Sequence, residues 1–339
     1  MRLIKIFSLP ICCLLILQVN GQSPKIEILQ LGNKISLRGL SVVNDEIIWA
    51  SGAKGTVVKS IDGGKSFEWI KVTGYEAIDF RDIEAFDRET ALIMGIDAPA
   101  IILKTKDGGK TWKKVLEDST KGMFLDAMDF SDSQHGVVIG DPINQKIYLA
   151  TTKNQGDTWS KLNEIGEPAN MIAKEGEAFF ASSGTNIKII KNHFAFVTGG
   201  KSSRLFYAKK WNNLSLKQGL QSTGANSIAI NKNKHGVIVG GDFTADNIPT
   251  GNCVLFEIEN NNLKLSNPII NPHGYRSCVI YINDSTLITC GTSGIDISKD
   301  GGKNWELISK ESFHVVQKSK NGYAVYLAGG NGRIAKLIN

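Results

Sequence analysis

One eight-residue pattern recurs along this chain at a nearly fixed spacing, and a sequence repeat of this period implies a repeated structural unit. The pattern is Ser/Thr, any, Asp, any, Gly, any, Ser/Thr, aromatic. It occurs as Ser60-Ile-Asp62-Gly-Gly64-Lys-Ser66-Phe67 and as Thr105-Lys-Asp107-Gly-Gly109-Lys-Thr111-Trp112. A third copy, Thr152-Lys-Asn154-Gln-Gly156-Asp-Thr158-Trp159, has Asn for Asp. A fourth is Ser298-Lys-Asp300-Gly-Gly302-Lys-Asn304-Trp305. Their starts lie 45, 47 and 146 residues apart, and the last interval leaves room for two degenerate copies. The Asp or Asn side chain turns onto nearby backbone N–H groups and closes a turn. Gly takes a backbone angle that other residues avoid. The aromatic enters the next strand as an apolar anchor.

Upstream of each turn stands a short apolar strand that ends in Gly. Seven such strands end at Gly52, Gly95, Gly140, Gly199, Gly240, Gly291 and Gly329. Each unit is then about four short strands, the size of one propeller blade. The expected fold is all-β, a seven-bladed β-propeller over residues 22–339. The seventh unit stops after its third strand, so Lys25-Ile-Glu-Ile-Leu-Gln-Leu31 is expected to complete that blade and close the ring. Closure removes free sheet edges.

Composition agrees: 35 glycines but only 8 prolines among 339 residues suit many tight turns, not a disordered linker. The N-terminus reads as a secretory signal over residues 1–21. Arg2 and Lys5 precede an apolar stretch from Ile6 to Leu17, and Val19-Asn-Gly21 ends it. Export, to the periplasm or beyond the cell, is therefore expected, with an uncleaved anchor as the alternative. Cys12 and Cys13 sit inside the apolar core, which argues against a lipid anchor. No later apolar run reaches the length of a membrane span. Loss of Arg2 and Lys5 takes the net charge from +6 to +4, and the lysines are scattered, so nucleic acid is not an expected partner. Three cysteines remain: Cys253, Cys278 and Cys290. No spacing suggests zinc. Cys278 and Cys290 fall on two arms of one hairpin, where an oxidising compartment would permit a bridge; buried free thiols are the simpler reading.

Blade geometry also indicates where a site would lie. The innermost strand of each blade starts at one mouth of the channel, and the repeated turns lie on the opposite face as scaffold. Counting fourteen residues back from each strand-ending Gly gives Arg38, Arg81, Asp126, Thr185, Asn226 and Val315, the last beside His314. In blade six, with one extra turn residue allowed, the count gives Arg276. Asp97, Asp141 and Asp242 follow their glycines onto the same face, and Glu177 opens an unusual small and apolar loop that ends at Gly184. The expected mouth is a ring of arginines beside carboxylates, suited to an anionic protein segment, small ligand or glycan. The same arginines would equally serve to pair with Asp82, Asp126 and their neighbours and hold blades together. His135 and His235 both precede a Gly at matching hairpins, which marks turn structure. No G-x-G-x-x-G turn and no metal-ligand cluster is present, and no cofactor is expected. A monomer is expected.

Through its Gly-ending strands and its D-G-G-K-S/T-W/F turns, nearly all of the chain after the signal resembles the photosystem II stability and assembly factor family and its relatives in non-photosynthetic bacteria. The resemblance implies an exported seven-bladed propeller that binds an assembly client without a cofactor. It also implies an arginine-rich patch near the channel, with Arg38, Arg81 and Arg276 as the corresponding positions. The turns are similar as well to the Asp boxes of sialidases, which hold a sugar carboxylate with three arginines. That likeness implies an alternative, a glycoside hydrolase acting on acidic sugars, with Tyr275 and Asp82 as its catalytic candidates. The Arg-Ile-Pro signature is missing, since Gly39 and Leu40 follow Arg38, and sialidases usually have six blades. A binding scaffold is the preferred expectation.

Overall fold

The four repeated turns share one hydrogen-bond pattern. In each, the first hydroxyl accepts the N–H of the second glycine position at 2.9 Å: Ser60 from Gly64, Thr105 from Gly109, Thr152 from Gly156, and Ser298 from Gly302. The Asp or Asn Oδ1 accepts the N–H four residues on, at 2.9–3.0 Å, from Ser66, Thr111, Thr158 and Asn304. Asn154 therefore does the work of Asp, and Asn304 that of Ser or Thr; its Nδ2 reaches Asp300 at 2.7 Å. Each turn is thus closed by its own side chains and reverses the chain between the third and fourth strands of a unit.

These turns and their hairpins generate a seven-bladed propeller. The computed structural model describes residues 24–338, except 98, 163–170 and 192. The expected signal segment, with Cys12 and Cys13, lies outside the described residues. The innermost strands of blades one to seven are Leu37–Val42, Phe80–Ala85, Leu125–Phe130, Ile187–Ile190, Thr223–Ile230, Cys278–Tyr281 and Val315–Lys318. Each contacts the innermost strand of the next blade, and that of blade seven contacts that of blade one, so the cycle closes. Lys25–Gln30 pairs antiparallel with Ile334–Ile338 as the fourth strand of blade seven. Among the described residues, no helix is long and apolar enough to cross a membrane.

Burial explains the strand composition. The second strands, such as Ile48–Gly52 and Ala91–Gly95, are buried at every residue because a blade packs on each face. They read as unbroken apolar runs for that reason. Outermost strands such as Glu68–Lys71 are exposed at both ends. Blade four departs from the pattern. Glu177–Ala178 pairs with Gly199–Gly200, which in turn pairs with Gly224 at the start of blade five. The segment from Glu177 to Gly184 is thus partly an added strand and partly, as shown below, a cavity wall. Cys253, Cys278 and Cys290 are buried free thiols in this structure.

Successive blades are joined at the repeated turn. Lys59 on the third strand of blade one donates to the Gly108 carbonyl of the turn in blade two, at 2.7 Å. Lys104 makes the same 2.7 Å bond to Gln155 in blade three. The Tyr326 hydroxyl of blade seven donates to Gly63 of blade one at 3.1 Å. At Gly109 the backbone adopts φ +92°, and an added Cβ would stand 2.9 Å from Ile70 Cδ1 of blade one. Gly109→Ala is therefore expected to lower stability by about 1–2 kcal/mol through its left-handed backbone alone. A thermal unfolding curve checks it, and an unchanged midpoint would show that the joint tolerates a side chain.

Candidate functional site

A one-residue bulge in the innermost strand decides which side chains reach the channel. In blade one Leu37 pairs with Gly52 and Gly39 with Ser51, so Arg38 is the extra residue. The same skip leaves out Arg81 in blade two, Asp126 in blade three and Asn226 in blade five. A bulge bends its strand and re-aims one side chain. Arg38, Arg81 and Asn226 accordingly line one cavity of about 410 Å³.

Blade six keeps the count of fourteen without adjustment. Cys278 pairs with Cys290, and the Ser277 N–H donates to the Cys290 carbonyl at 2.9 Å. Ser277 stands just before the first ladder pair and lines the cavity. Arg276 does not; the sequence count was one residue off, and a shift of one moves a strand residue to the other face. Its guanidinium is fully buried, with Nε 2.6 Å from Asp296 Oδ2 and Nη1 donating to the Tyr275 carbonyl and to Ser293 Oγ. In blade seven Val315 pairs with Ala328, and the His314 N–H donates to the Ala328 carbonyl at 2.9 Å, which places His314 in the cavity.

The remaining wall is aromatic. Phe124, Phe179, Phe180, Phe243 and Tyr275 line it, with Ala181 and Ser182 from the loop before blade four. Phe180 and Phe243 meet edge to face at 5.9 Å, and Phe243 and Tyr275 at 6.2 Å. Tyr275 donates its hydroxyl to Asn226 Oδ1 at 2.8 Å, which also receives Ser182 Oγ at 3.0 Å.

Charge in the cavity is mostly positive. Five of the six arginines among the described residues have a carboxylate partner; Arg38 has none. Arg81 Nε sits 2.8 Å from Asp79. Burial, together with the charge of Arg81, pulls the Arg38 pKa below its ordinary value, yet a guanidinium stays protonated in proteins. Burial and the two arginines push His314 down to about 3, so its imidazole is neutral. Burial raises the Tyr275 phenol to about 12. Burial also lifts Asp141 to about 6, against a 2.8 Å hydrogen bond from the Phe179 N–H. Asp126 has no exposed surface. Burial, reinforced by Asp141, pushes it well above the usual carboxylate range.

Several residues expected at this mouth stand elsewhere. Asp126 is behind the wall and does not line it. Glu177 is held by Arg204, with Nε at 2.8 Å and a second bond from Nη2, and by Thr198. Asp242 is engaged by Thr244 at 2.7 Å and Lys217 at 3.3 Å, and despite burial these partners hold it at about 2. Thr185 bonds Ser183 and Ser227 in the interior. Asp82 accepts the backbone N–H groups of Met128 and Ile83, tying blade two to blade three. It lines a second cavity of about 580 Å³ at the opposite mouth, shared with the Glu84–Lys320 and Asp129–Lys188 pairs. Tyr275 and Asp82 therefore do not share a site. Ser277 was within reach of the sequence count; Phe124 and Phe243 had no signal, because nothing marks a loop aromatic as facing a cavity.

No family model matches this sequence, and no curated protein matches it. Solved structures do. The propeller described as YCF48 bound to D1 peptide is 15% identical, with a TM-score of 0.64 over 95% of this chain and 97% of that one. YCF48 from Cyanidioschyzon merolae is also 15% identical, with a TM-score of 0.61 over 92% and 98%. The WD40 propeller domain of Doa1 is 13% identical, with a TM-score of 0.60 over 94% and 98%. At these identities the likeness establishes a shared fold.

The two kinds of arginine are expected to respond differently to removal. Arg276→Ala leaves Asp296 buried without its guanidinium and should cost about 3–5 kcal/mol. Arg38→Ala removes a side chain with no ion pair and should change stability by about 0.5 kcal/mol or less. Denaturant unfolding of the two variants measures both, and equal losses would refute the distinction.

Proposed function

We propose that this chain is a non-catalytic binding scaffold that holds an anionic segment of a client protein in the aromatic, arginine-bearing cavity. The observation that carries the proposal is Arg38, a partly buried guanidinium without a carboxylate of its own, beside Arg81 and across from Phe180, Phe243 and Tyr275. A guanidinium in a partly dry cavity favours a carboxylate or phosphate partner. The aromatic wall offers apolar area with little conformational entropy to lose. Together they suit a segment in which an acidic group lies next to a large apolar side chain. A cavity of about 410 Å³ admits only a few residues, so the client would insert a short stretch. The likeness to a propeller solved with a bound peptide supports the same reading. Export remains part of the proposal and rests on the charged and apolar N-terminal segment alone.

Nothing favours the hydrolase alternative. The Tyr275 hydroxyl donates to an amide oxygen, which cannot take its proton, where a nucleophile would need a carboxylate. A fluorogenic sialoside is expected to remain intact in the presence of the protein.

The test is binding of short acidic peptides with and without an aromatic neighbour, followed by fluorescence anisotropy. Binding should weaken as salt rises, because exposed charge attraction is screened. Arg38→Ala combined with Arg81→Ala should lose about tenfold or more in affinity while the ring stays folded. Undiminished binding by the folded double variant would overturn the site. A pH series adds a second check. Asp141 titrates at about 6, carrying negative charge above that pH and none below it. Peptide affinity should therefore rise as pH falls through 6, and Asp141→Asn should flatten that rise.

A further inference from the structure

Blade six carries two cysteines that face each other across adjacent strands. Cys278 on the innermost strand and Cys290 on the second are direct partners in the antiparallel ladder. Direct partners in such a ladder have Cα atoms about 4.5–5.5 Å apart, inside the range a disulfide spans. Both side chains enter the same apolar cluster and neither has exposed surface. As direct ladder partners the two side chains leave the same face of the hairpin and are neighbours. Cys253 lies in a different cluster and cannot compete for either.

We infer that Cys278 and Cys290, free thiols in this structure, close on oxidation into a cystine that staples the innermost hairpin of blade six directly beneath the cavity. Ser277 and Thr292, which line the cavity, are one residue before Cys278 and two after Cys290, so the staple fixes both ends of the hairpin that present them. This inference does not depend on what the cavity binds.

The pair is oxidised by thiol–disulfide exchange. The oxidant is a dialkyl disulfide such as oxidised glutathione. One cysteine, as thiolate, attacks one of its sulfurs, the S–S bond breaks, and one glutathione thiol leaves. The other cysteine then attacks the protein sulfur of the mixed disulfide, and the second glutathione thiol leaves. The two cysteine protons end on the two released thiols, and the two electrons lost by the cysteines reduce one glutathione disulfide. With no exposed surface on either sulfur, the exchange belongs to folding, before blade seven covers the pair. Afterwards the bond is shielded from reductant.

The experiment is refolding of the full chain from urea with oxidised and reduced glutathione, followed by alkylation in denaturant before and after reduction. Peptide mapping should find Cys253 alkylated at once, and Cys278 and Cys290 only after reduction, in one linked pair. Immediate alkylation of Cys278 and Cys290, or stable glutathione adducts on them, would overturn the inference. A second measurement does not require a cysteine variant to be as stable as the parent. The parent refolded with reductant should melt about 5 °C below the parent refolded with oxidised glutathione. In Cys290→Ala the two preparations should melt together, and a persisting gap would assign it to something other than this bond.

Discussion

The hydrogen bond from one blade to the turn of the next governs this architecture. Lys59 to Gly108, Lys104 to Gln155 and Tyr326 to Gly63 place a donor of one unit on the carbonyl of its neighbour's turn. Each turn meets that donor already braced by hydrogen bonds from its backbone to its own Ser/Thr side chain. A turn closed from within can be handed on as a rigid part, and the ring is assembled from such parts. Different donors serve at different joints, so the turn is more constrained than the residue that meets it.

The candidate site depends on a different irregularity of the same repeat. A regular innermost strand would send alternate residues into the interblade packing on either side, and none would point down the axis. The single-residue bulge supplies an extra residue per strand that belongs to neither face. Arg38, Arg81 and Asn226 are that residue in three blades, and Ser277 and His314, each just before the first ladder pair of its strand, line the cavity with them. Because the position makes no packing demand, its chemistry differs freely from blade to blade. Asp126, in the same place in blade three, has no exposed surface and does not line the cavity.

The architecture was legible in the sequence because repetition multiplies weak signals. One Asp-x-Gly turn says little, but four at near-equal spacing define blades, and Gly-ending strands supply those without a clean turn. The closing role of Lys25–Gln30 followed from counting strands. The candidate cavity was legible only in part, and the reason is the period of a strand. Arg38, Arg81 and Asn226 were found by a count that keeps its meaning as long as hairpin length is constant. At blade six a single residue of latitude selected Arg276 in place of Ser277, and Arg276 proved to be a buried partner of Asp296. Carboxylates fared worse. Glu177, Asp242 and Asp82 are each claimed by a nearby donor, Arg204, Lys217 and the Met128 backbone respectively, and no one-dimensional pattern reports that claim.

The pairing of Lys25–Gln30 with Ile334–Ile338 also orders events in time. The first strand of the ring has no partner until the last one exists, so some three hundred residues must be in place before it can settle. Until then an edge of blade seven and an edge-seeking strand are both unsatisfied, a state in which chains readily join the wrong neighbour. Long-range pairing of this kind is slow to form. A ring that is stable once shut therefore has its greatest exposure to misassembly just before the two termini meet.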